Sequence, residues 1–244
     1  MRFLLVLLLA GSLSAQPARE IFAEGETLDY TVTWLKVTGG TARMTIAPKG
    51  ADQFRITSVA RSSGSLGRFI KVRDEIETIV RKADFSTLRY TKRLDERGDK
   101  HTEVTSVEGK VATRTKEGKA KTIPVPEPVF DPISVVYYLR TLDLEPGKSY
   151  DLTLISDGKI YTVKARVVRR EVIETPAGRY STLMVEPEMV SGGVPRDERL
   201  FIWYTDDERH IPVRIRTEVK FGSVVASLRS MQEGVTSTDP PPLR

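Results

Sequence analysis

Hydrophobic and polar residues alternate with a period of two along most of the chain. The alternation is clear in residues 28–34 (LDYTVTW), where Leu, Tyr, Val and Trp share one face, and in residues 41–46 (TARMTI). It recurs in residues 213–221 (VRIRTEVKF), where apolar positions alternate with Arg, Glu and Lys. Because successive side chains of a strand point to opposite faces of a sheet, this period predicts strands with one buried and one wet face.

Short turn signals separate these alternating runs. A glycine follows a charged residue between two extended segments at Lys49–Gly50, Glu108–Gly109, Glu117–Gly118 and Asp157–Gly158. Such pairs favour tight hairpins, since the turn needs positive φ. We also expect Gly39–Gly40 to interrupt the chain between the first two strands. Successive hairpins predict a mainly β fold, an antiparallel meander that forms a barrel or half-barrel.

One segment departs from the alternation and predicts a helix near residues 132–143. Asp131 can cap its N-terminus, Pro132 suits the first helical position, and Pro146–Gly147 ends the run. We expect this helix to cross one end of the sheet as a connector. Its apolar residues at helical spacing are Val135, Tyr138, Leu139 and Leu142.

The two ends of the chain differ in composition from the alternating part. Residues 1–15 combine a basic residue, a short apolar core and a final alanine, which is the pattern of a secretory signal peptide. Residues 16–23 form an N-terminal lead, and residues 24–232 form a single antiparallel β domain, with a split near residues 124–128 as the alternative. Residues 233–244 lack periodicity and predict a disordered tail. We expect an exported protein of the periplasm, without a transmembrane segment after signal cleavage.

Composition narrows the classes of function. The sequence contains no cysteine, which excludes disulfides, thiol catalysis and thiolate metal sites. The formal net charge is +5, and residues 61–122 hold 16 Lys/Arg against 10 Asp/Glu, a local excess of +6. A basic segment of this kind suits contact with an anionic surface such as lipid head groups or envelope polysaccharide, but a set of solvated strand faces is the better explanation of the excess. No nucleic-acid-binding motif is present, so nucleic acid is not an expected partner.

Residues suited to catalysis do not form a recognised motif. His101 and His210 lie in polar segments, and the sequence has neither a nucleophile elbow nor a phosphate-binding glycine loop. We therefore assign no catalytic residue, no metal and no cofactor. A carboxylate-based hydrolase acting on envelope glycan is the third hypothesis. It would need two of four carboxylates to converge in the fold: Glu26, Asp29, Asp74 and Asp206.

Three aromatic residues are candidates for ligand binding. Trp34 and Trp203 each lie near the end of an alternating or apolar strand, and Tyr138 lies in the predicted helix. A barrel of roughly eight or more strands can hold one small ligand. We therefore expect an apolar pocket flanked by Trp34, Tyr138 or Trp203, with core packing as the alternative for each of them.

The most highly charged stretch, residues 203–216 (WYTDDERHIPVRIR), has the composition of a turn between two strands. Pro212 is expected to open the second strand, where proline is tolerated. An ion pair between Asp206 and Arg214 would fix the register of this hairpin, and such an exposed pair contributes at most about 1 kcal/mol. A second turn is predicted at Pro176 and Gly178.

The order of several motifs resembles a known family. The motifs are GETLDYTVTWLKVTGGTARM, VRDEIETIV with FSTLRYTKRL, VFDPISVVYYLRTL, ETPAGRYSTLMVEP and IWYTDDERHIPVRI. Over about residues 24–230 the chain resembles domain-of-unknown-function family 3108. The resemblance implies an exported, mostly β protein with a barrel-like or half-barrel sheet and without established catalytic residues. Its shape is similar, by analogy alone, to envelope carriers of lipids and lipoproteins.

These observations favour non-catalytic binding of an apolar or amphipathic ligand of the cell envelope. The alternative is an accessory or scaffold protein that docks on another envelope component through its basic face. The glycan hydrolase ranks third.

Overall fold

A single antiparallel sheet forms most of the protein. The computed structural model describes residues 22–63, 72–96, 99–192, 194–195, 199–220 and 222–234. The predicted signal peptide and nearly all of the predicted C-terminal tail lie outside these described residues. No helix among the described residues is long and apolar enough to span a bilayer.

Within the described residues, fifteen strands and one short helix follow each other along the chain. The helix is α1 (Ser134–Leu139). The strands are β1 (Glu26–Trp34), β2 (Val37–Lys49), β3 (Gln53–Ser62), β4 (Arg73–Arg81), β5 (Thr87–Glu96), β6 (Asp99–Glu108), β7 (Val111–Lys116), β8 (Lys119–Pro124), β9 (Ser149–Ser156), β10 (Lys159–Thr175), β11 (Gly178–Ser191), β12 (Val194–Pro195), β13 (Arg199–Thr205), β14 (Pro212–Val219) and β15 (Gly222–Glu233).

Most neighbouring strands in the sheet are consecutive along the chain, and the first strand pairs with the last. Neighbours run from β8 down to β1 in reverse chain order and then through β15, β14, β13, β11 and β10 to β9, while β12 pairs with β11. The first strand β1 and the last strand β15 are therefore antiparallel partners in the middle of the sheet. This half-barrel confirms the mainly β, antiparallel meander predicted from the alternation.

The concave face of the half-barrel carries the core. Leu28 stands opposite Met44, which stands opposite Ser58 on the next strand. Tyr30 is two residues from Leu28 and therefore shares its face. Leu28, Tyr30 and Met44 belong to the same buried cluster as Tyr137 of α1. This face is therefore the inner wall, and α1 packs against it.

The first hairpin turns at a different place from the one predicted. The β1–β2 turn falls at Leu35 and Lys36, which have φ of 49° and 66°, whereas Gly39 and Gly40 lie inside β2. Glycine is required at position 40 because the backbone of β3 approaches it closely, and not because the chain turns there. A Cβ there would lie 2.3 Å from the carbonyl oxygen of Arg61 on β3, so only glycine lets the two backbones pair.

The helix α1 is shorter than the predicted run near 132–143. Its regular part ends at Leu139, and the chain continues in tight turns in which the amides of Arg140, Thr141 and Leu142 donate to carbonyl oxygens three residues earlier. Bonds of this spacing tighten a helix end and are typical of a last 3₁₀ turn. The apolar residues up to Leu142 still pack on the core, which explains why the sequence pattern extends further than the regular helix.

The segment before the helix bridges β5 and the end strand β9. The amide of Phe130 donates to Thr153 of β9, and the amide of Ile155 donates to Phe130 in return. On the other side the amide of Thr87 on β5 donates to the carbonyl of Val129. Residues 129–130 therefore fasten β9 to the body of the half-barrel, although β8 and β9 stand at opposite ends of the strand order.

Candidate functional site

The two ends of the half-barrel differ in how they are filled. At one end, which we call the helix end, α1 packs beside Glu26 on β1 and Thr78 on β4. The opposite end, which we call the rim, is formed by Trp34 of β1, the β1–β2 turn and the end of β3 at Ser62. A candidate site has to lie on the inner wall between these two ends.

A buried ion pair holds the helix end together. The Arg140 guanidinium, on the turn after α1, donates to both carboxylate oxygens of Glu26 at 2.6 and 2.9 Å. It also lies over the ring of Phe22, 4.6 Å from the centroid, and Arg209 reaches the same carboxylate at 3.2 Å. Burial opposes the charged form, yet Glu26 raises the pKa of Arg140 above its ordinary value. Both carboxylate oxygens of Glu26 therefore have guanidinium partners.

Asp131 is a second buried carboxylate at the helix end. Its Oδ1 accepts bonds from the amides of Ile133 and Ser134 at 2.8 and 3.0 Å, and its Oδ2 accepts a bond from the Thr87 hydroxyl at 2.7 Å. The Thr78 hydroxyl donates to Oδ1 as well. Because burial in this apolar setting outweighs these bonds, the pKa of Asp131 is raised. The helix begins at Ser134 with Ile133 as its N-cap, later than the predicted start at Pro132. Asp131 therefore ties the turn before α1 to β4 and β5.

A cluster of four charged side chains, which we call the inner ionic cluster, spans the wall on the other side of the half-barrel. Lys92 on β5 and Glu103 on β6 stand opposite each other, 3.6 Å apart at their charged atoms. Arg114 on β7 donates to Glu103 at 2.6 Å, and Lys92 also bonds to Asp157 in the β9–β10 turn. Burial works against the charged forms, but the partners lower the pKa of both Glu103 and Asp157.

Toward the rim, the inner wall becomes apolar and partly exposed. Ala42 and Ala60 stand opposite each other on β2 and β3. Ala226 on β15 stands opposite Val32 on one side and Ile215 on the other. All five side chains are only partly buried, and the three alanines fill little of the space on the concave side. The result is an apolar concave surface that solvent reaches, which we call the rim wall.

The three predicted ligand-binding aromatic residues lie in three different places. Trp34 stands opposite Val224, on the same face as Val32, and so borders the rim wall. Tyr138 is at the helix end, where its ring stacks on Phe130 with centroids 4.5 Å apart. Trp203 lies on the convex face, since its neighbour Tyr204 points inward and donates to Val136 of α1. Their role in ligand binding stays a prediction, and the geometry favours Trp34.

Trp203 is covered although it faces outward. It is 6% exposed, and its indole nitrogen donates to Glu171 on β10 at 2.7 Å. Phe201, two residues earlier on the same face, lies beneath the guanidinium groups of Arg199 and Arg216, at 4.9 and 4.8 Å from its centroid. The two guanidinium groups thus cover the Phe201 ring on the convex face.

The charged stretch forms the β13–β14 turn, but the predicted pair between Asp206 and Arg214 is wrong. Asp206 pairs with Arg170 of β10 at 2.9 Å. Arg214 donates instead to the carbonyl of Glu174 and, at 3.4 Å, to the hydroxyl of Ser227. The long strand β10 brings its own residues beside this turn, and the sequence gives no local sign of that. Pro212 does begin β14, and its carbonyl accepts the Tyr30 hydroxyl at 2.7 Å.

The second predicted turn lies between β10 and β11. Residues 176–177 form the turn and β11 begins at Gly178, whose φ is 135°. The Thr175 hydroxyl accepts a bond from the amide of Ala177 and donates to the carbonyl of Gly178. The turn at Pro176 is thus held by its own side chains, and we find no ligand chemistry in it.

The four carboxylates considered for hydrolysis lie in different places. Glu26 and Asp74 share the concave face, but Glu26 stands at the helix end and Asp74 toward the rim. Glu26 faces inward and binds Arg140, while Asp29, three residues later, pairs with Arg43 at 2.8 Å on the other face. Asp206 lies in the β13–β14 turn with Arg170. Among the residues that the structure describes, no group of three or more potential metal ligands occurs.

Comparisons with known proteins agree with this architecture. No curated protein matches the chain in sequence. The family model described as "Protein of unknown function (DUF3108)" matches residues 29–229. The chain belongs to this family. The match confirms the family resemblance predicted from the motifs, and it covers β2 to β14 completely.

One solved structure shares the fold of this DUF3108 protein. A β-barrel-like protein of family DUF1849 from Brucella abortus superimposes with a TM-score of 0.60 at 13% identity, over 86% of this chain and 97% of that chain. At this identity the likeness shows the fold alone. Two further matches score too low to support an argument. A protein described as exported, with a YmcC-like fold, from Bacteroides fragilis gives 0.35 at 11% identity over 85% and 95% of the two chains. The lipoprotein LppX from Mycobacterium tuberculosis gives 0.24 at 13% over 73% and 85%.

Sequence reasoning missed two features of this DUF3108 site. Lys92, Glu103 and Arg114 lie on three different strands, each among polar residues. Such a composition is also typical of a strand face that is exposed to solvent. Their position on the inner wall follows from the register of β5, β6 and β7. This register cannot be derived from the sequence. The rim wall was missed because alanines carry little hydrophobic signal. The one available sign was that Ala42 and Ala60 lie on the same face of their strands as the apolar residues of those strands.

Proposed function

We propose that this DUF3108 protein binds an apolar or amphipathic ligand on the rim wall, without catalysing a reaction. The observation that carries the proposal is the partial exposure of apolar side chains on a concave inner face, at Val32, Ala42, Ala60, Ile215 and Ala226. A soluble domain usually buries such a face completely, and a concave apolar surface with a few polar groups is the usual form of a ligand site. Trp34 lies next to it and would report occupancy.

The ligand's chemistry follows from the lining. The rim wall offers aliphatic contacts, and Asp74 continues the row of Ala42 and Ala60. A carboxylate at the edge of an apolar surface suits a molecule with an acyl or other hydrocarbon part and an uncharged or cationic polar end. We further propose that the protein acts in the cell envelope, most simply the periplasm, because residues 1–15 have the composition of a signal peptide.

A titration with a fluorescent acyl ester, which has a hydrocarbon part and no negative charge, tests the proposal. Ala42→Phe should fill the rim wall opposite Tyr30 and Ala60, and should weaken saturable probe binding roughly tenfold or more. The matched control is Thr41→Phe, because Thr41 is the adjacent, exposed residue on the convex face. The control should bind within about twofold of the unmodified protein. Absence of saturable binding, or equal affinity of the two variants, would contradict the proposal, provided that both unfold at similar temperatures.

Docking through a basic face is the alternative function, and part of the basic segment supports it. Lys110, Lys119 and Lys121 are exposed at and near the end strand β8. Lys92 and Arg114, by contrast, are engaged in the inner ionic cluster and are not available to a partner. A pull-down from envelope extract with the three exposed lysines changed to Glu tests this function. A partner that stays bound to that variant would argue against it.

A further inference from the structure

Two neighbouring hairpins expose apolar side chains at the rim. Leu35 is 58% exposed and Val37 49% exposed, both in or next to the β1–β2 turn. Val224 on β15 is 37% exposed. The amide of Leu35 donates to the carbonyl of Ser223 at 3.4 Å, so the tips of the β1–β2 and β14–β15 hairpins lie side by side. We call Leu35, Lys36, Val37 and Val224 the rim tip.

The backbone of the rim tip is unfavourable for its residues. Leu35 and Lys36 both have positive φ, at 49° and 66°. Two-residue hairpin turns with this geometry strongly prefer Asn-Gly or similar pairs, because a side chain with a Cβ is disfavoured there. Leucine in such a position, with its side chain in solvent, is neither a good turn former nor a core residue. Local strain that the fold does not require is a sign of function.

The neighbouring strand leaves space for this leucine. A Cβ on Gly222 would come within 2.3 Å of Leu35 Cδ2. The Leu35 side chain therefore lies over the backbone of β15 and is presented outward from a supported position. The tips of the two adjacent hairpins thus form one surface feature, on which Leu35 and Val37 are exposed.

Charge and size narrow the choice of partner. Lys36 is exposed between the two apolar residues, and Arg61, opposite Thr41 on the convex face, is exposed behind them. A few protruding apolar side chains among cations suit the boundary between headgroups and acyl chains of an anionic bilayer. A stable protein interface requires about 800 Å² on each partner, and a protrusion of three apolar side chains offers much less.

We propose that the rim tip docks the protein on the surface of an anionic lipid bilayer. Leu35 and Val37 enter the boundary of the acyl chains, and Lys36 contacts the headgroup phosphates. The proposal goes beyond ligand binding and does not depend on it. It adds an orientation, because docking at the rim turns the rim wall toward the membrane, from which an apolar molecule could enter without crossing water.

Tryptophan fluorescence can locate the docked face. Trp34 adjoins the rim tip, and Trp203 lies on the convex face of β13, so Trp203→Phe leaves a single reporter near the proposed contact. Vesicles of phosphatidylcholine and phosphatidylglycerol with brominated acyl chains should quench Trp34. In the Trp34→Phe protein the same vesicles should leave Trp203 emission unchanged. Equal quenching of both reporters, or quenching of neither, would overturn the proposal.

Paired variants separate docking from folding. Leu35→Ser with Val37→Ser should lower partitioning onto the anionic vesicles roughly tenfold or more, because the inserted apolar area is lost. Val168→Ser with Val172→Ser is the matched control, since these β10 valines are 40% and 54% exposed but lie away from the rim tip. The control should partition like the unmodified protein. Equal partitioning of tip and control variants would reject the rim tip as the docking site.

A variant with a more favourable turn sequence distinguishes membrane docking from a purely structural role of Leu35 and Lys36. Leu35→Asn with Lys36→Gly should raise the thermal unfolding midpoint, because the new pair suits the turn, and should still reduce vesicle binding. A fall in both quantities would indicate that these residues serve stability alone.

Light scattering tests whether a second copy of the chain is the partner. A dimer that the tip variants convert to a monomer would show that it is, and would overturn membrane docking. Loss of vesicle binding with intact probe binding would leave the proposed ligand site standing.

Discussion

Arg140 shows how one residue can be both buried and charged in this fold. Its guanidinium is enclosed at the helix end by the ring of Phe22, the ring of Tyr137 and the two oxygens of Glu26. Taking an ion pair out of water is offset only when the geometry is good and the remaining donors find partners. Here Nε also donates to the carbonyl of Arg209 at 3.1 Å. The pair therefore fixes where α1 sits on the sheet.

Removing the carboxylate should reveal this dependence. We expect Glu26→Gln to lower the free energy of unfolding by about 3 kcal/mol, since the buried guanidinium loses its counter-charge. The comparison is Asp29→Asn on the same strand, whose partner Arg43 is largely exposed, and it should lower the free energy by at most about 1 kcal/mol. Urea unfolding followed by fluorescence measures both. Similar losses for the two variants would show that burial does not decide the strength of the Glu26 pair.

At the scale of elements, the β9–β10 hairpin is fastened by charge. Its turn residue Asp157 bonds to Lys92 on β5, and Lys92 also faces Glu103 on β6. Strands near the two ends of the sheet are thereby linked across the interior. The turn itself has Asp157 and Gly158 at φ of 52° and 71°, which is the geometry that the Asp–Gly pair predicted. Backbone turn chemistry and a side-chain ion pair thus act on the same hairpin.

Acid should loosen this link. The Arg114 and Lys92 partners outweigh burial and hold the pKa of Glu103 below the ordinary 4.5. A depressed pKa means that the unfolded chain takes up the proton first. Stability from Glu103 is therefore fully present above about pH 4.5 and is lost as the pH falls through the lowered pKa. We expect Glu103→Gln to be less stable than the unmodified protein at pH 7, with a difference that shrinks as the pH falls below 4.5.

Urea unfolding at a series of pH values measures this difference. Comparing two proteins that differ at one residue cancels most of the titration of the carboxylates outside the inner ionic cluster. A difference that stays constant between pH 7 and pH 3 would indicate that Glu103 contributes through its shape and not through its charge.

The same elements show what the sequence could and could not predict. The strands and the Asp157–Gly158 turn follow from local rules, namely the period of two and the need for positive φ. The role of Gly40 did not follow, since the reason for glycine there is a carbonyl on another strand. Likewise residues 200–204 (LFIWY) are apolar throughout, so the sequence does not tell which of Trp203 and Tyr204 faces the concave side. Sites that depend on register across strands, such as the inner ionic cluster, were out of reach for that reason.

At the scale of the whole molecule, the sheet links the two halves of the chain. The strands β1 and β15 pair over the whole length of β1, from Glu26 opposite Glu233 to Trp34 opposite Val224. The segment at Val129 and Phe130 then connects β5 with β9. Because each half of the sheet is held by the other, we propose that residues 24–232 fold as a single domain.

A single domain should unfold in one step. We expect calorimetry to show one transition whose calorimetric and van't Hoff enthalpies agree, as small cooperative domains do. The split near residues 124–128 considered from the sequence predicts two transitions instead. Two separable transitions, or a stable proteolytic fragment ending in that segment, would contradict the single domain.

The treatment of the sheet's two edges has a consequence for the protein in a concentrated solution. An unpaired edge strand offers free amides and carbonyls, and other chains can add to it and grow into fibrous aggregates. The backbone of Phe130 occupies amide and carbonyl groups on the outer side of β9. The strand β8 is short and carries exposed lysines at 119 and 121 with a proline at its end. The half-barrel is thus shielded at both edges from its own copies.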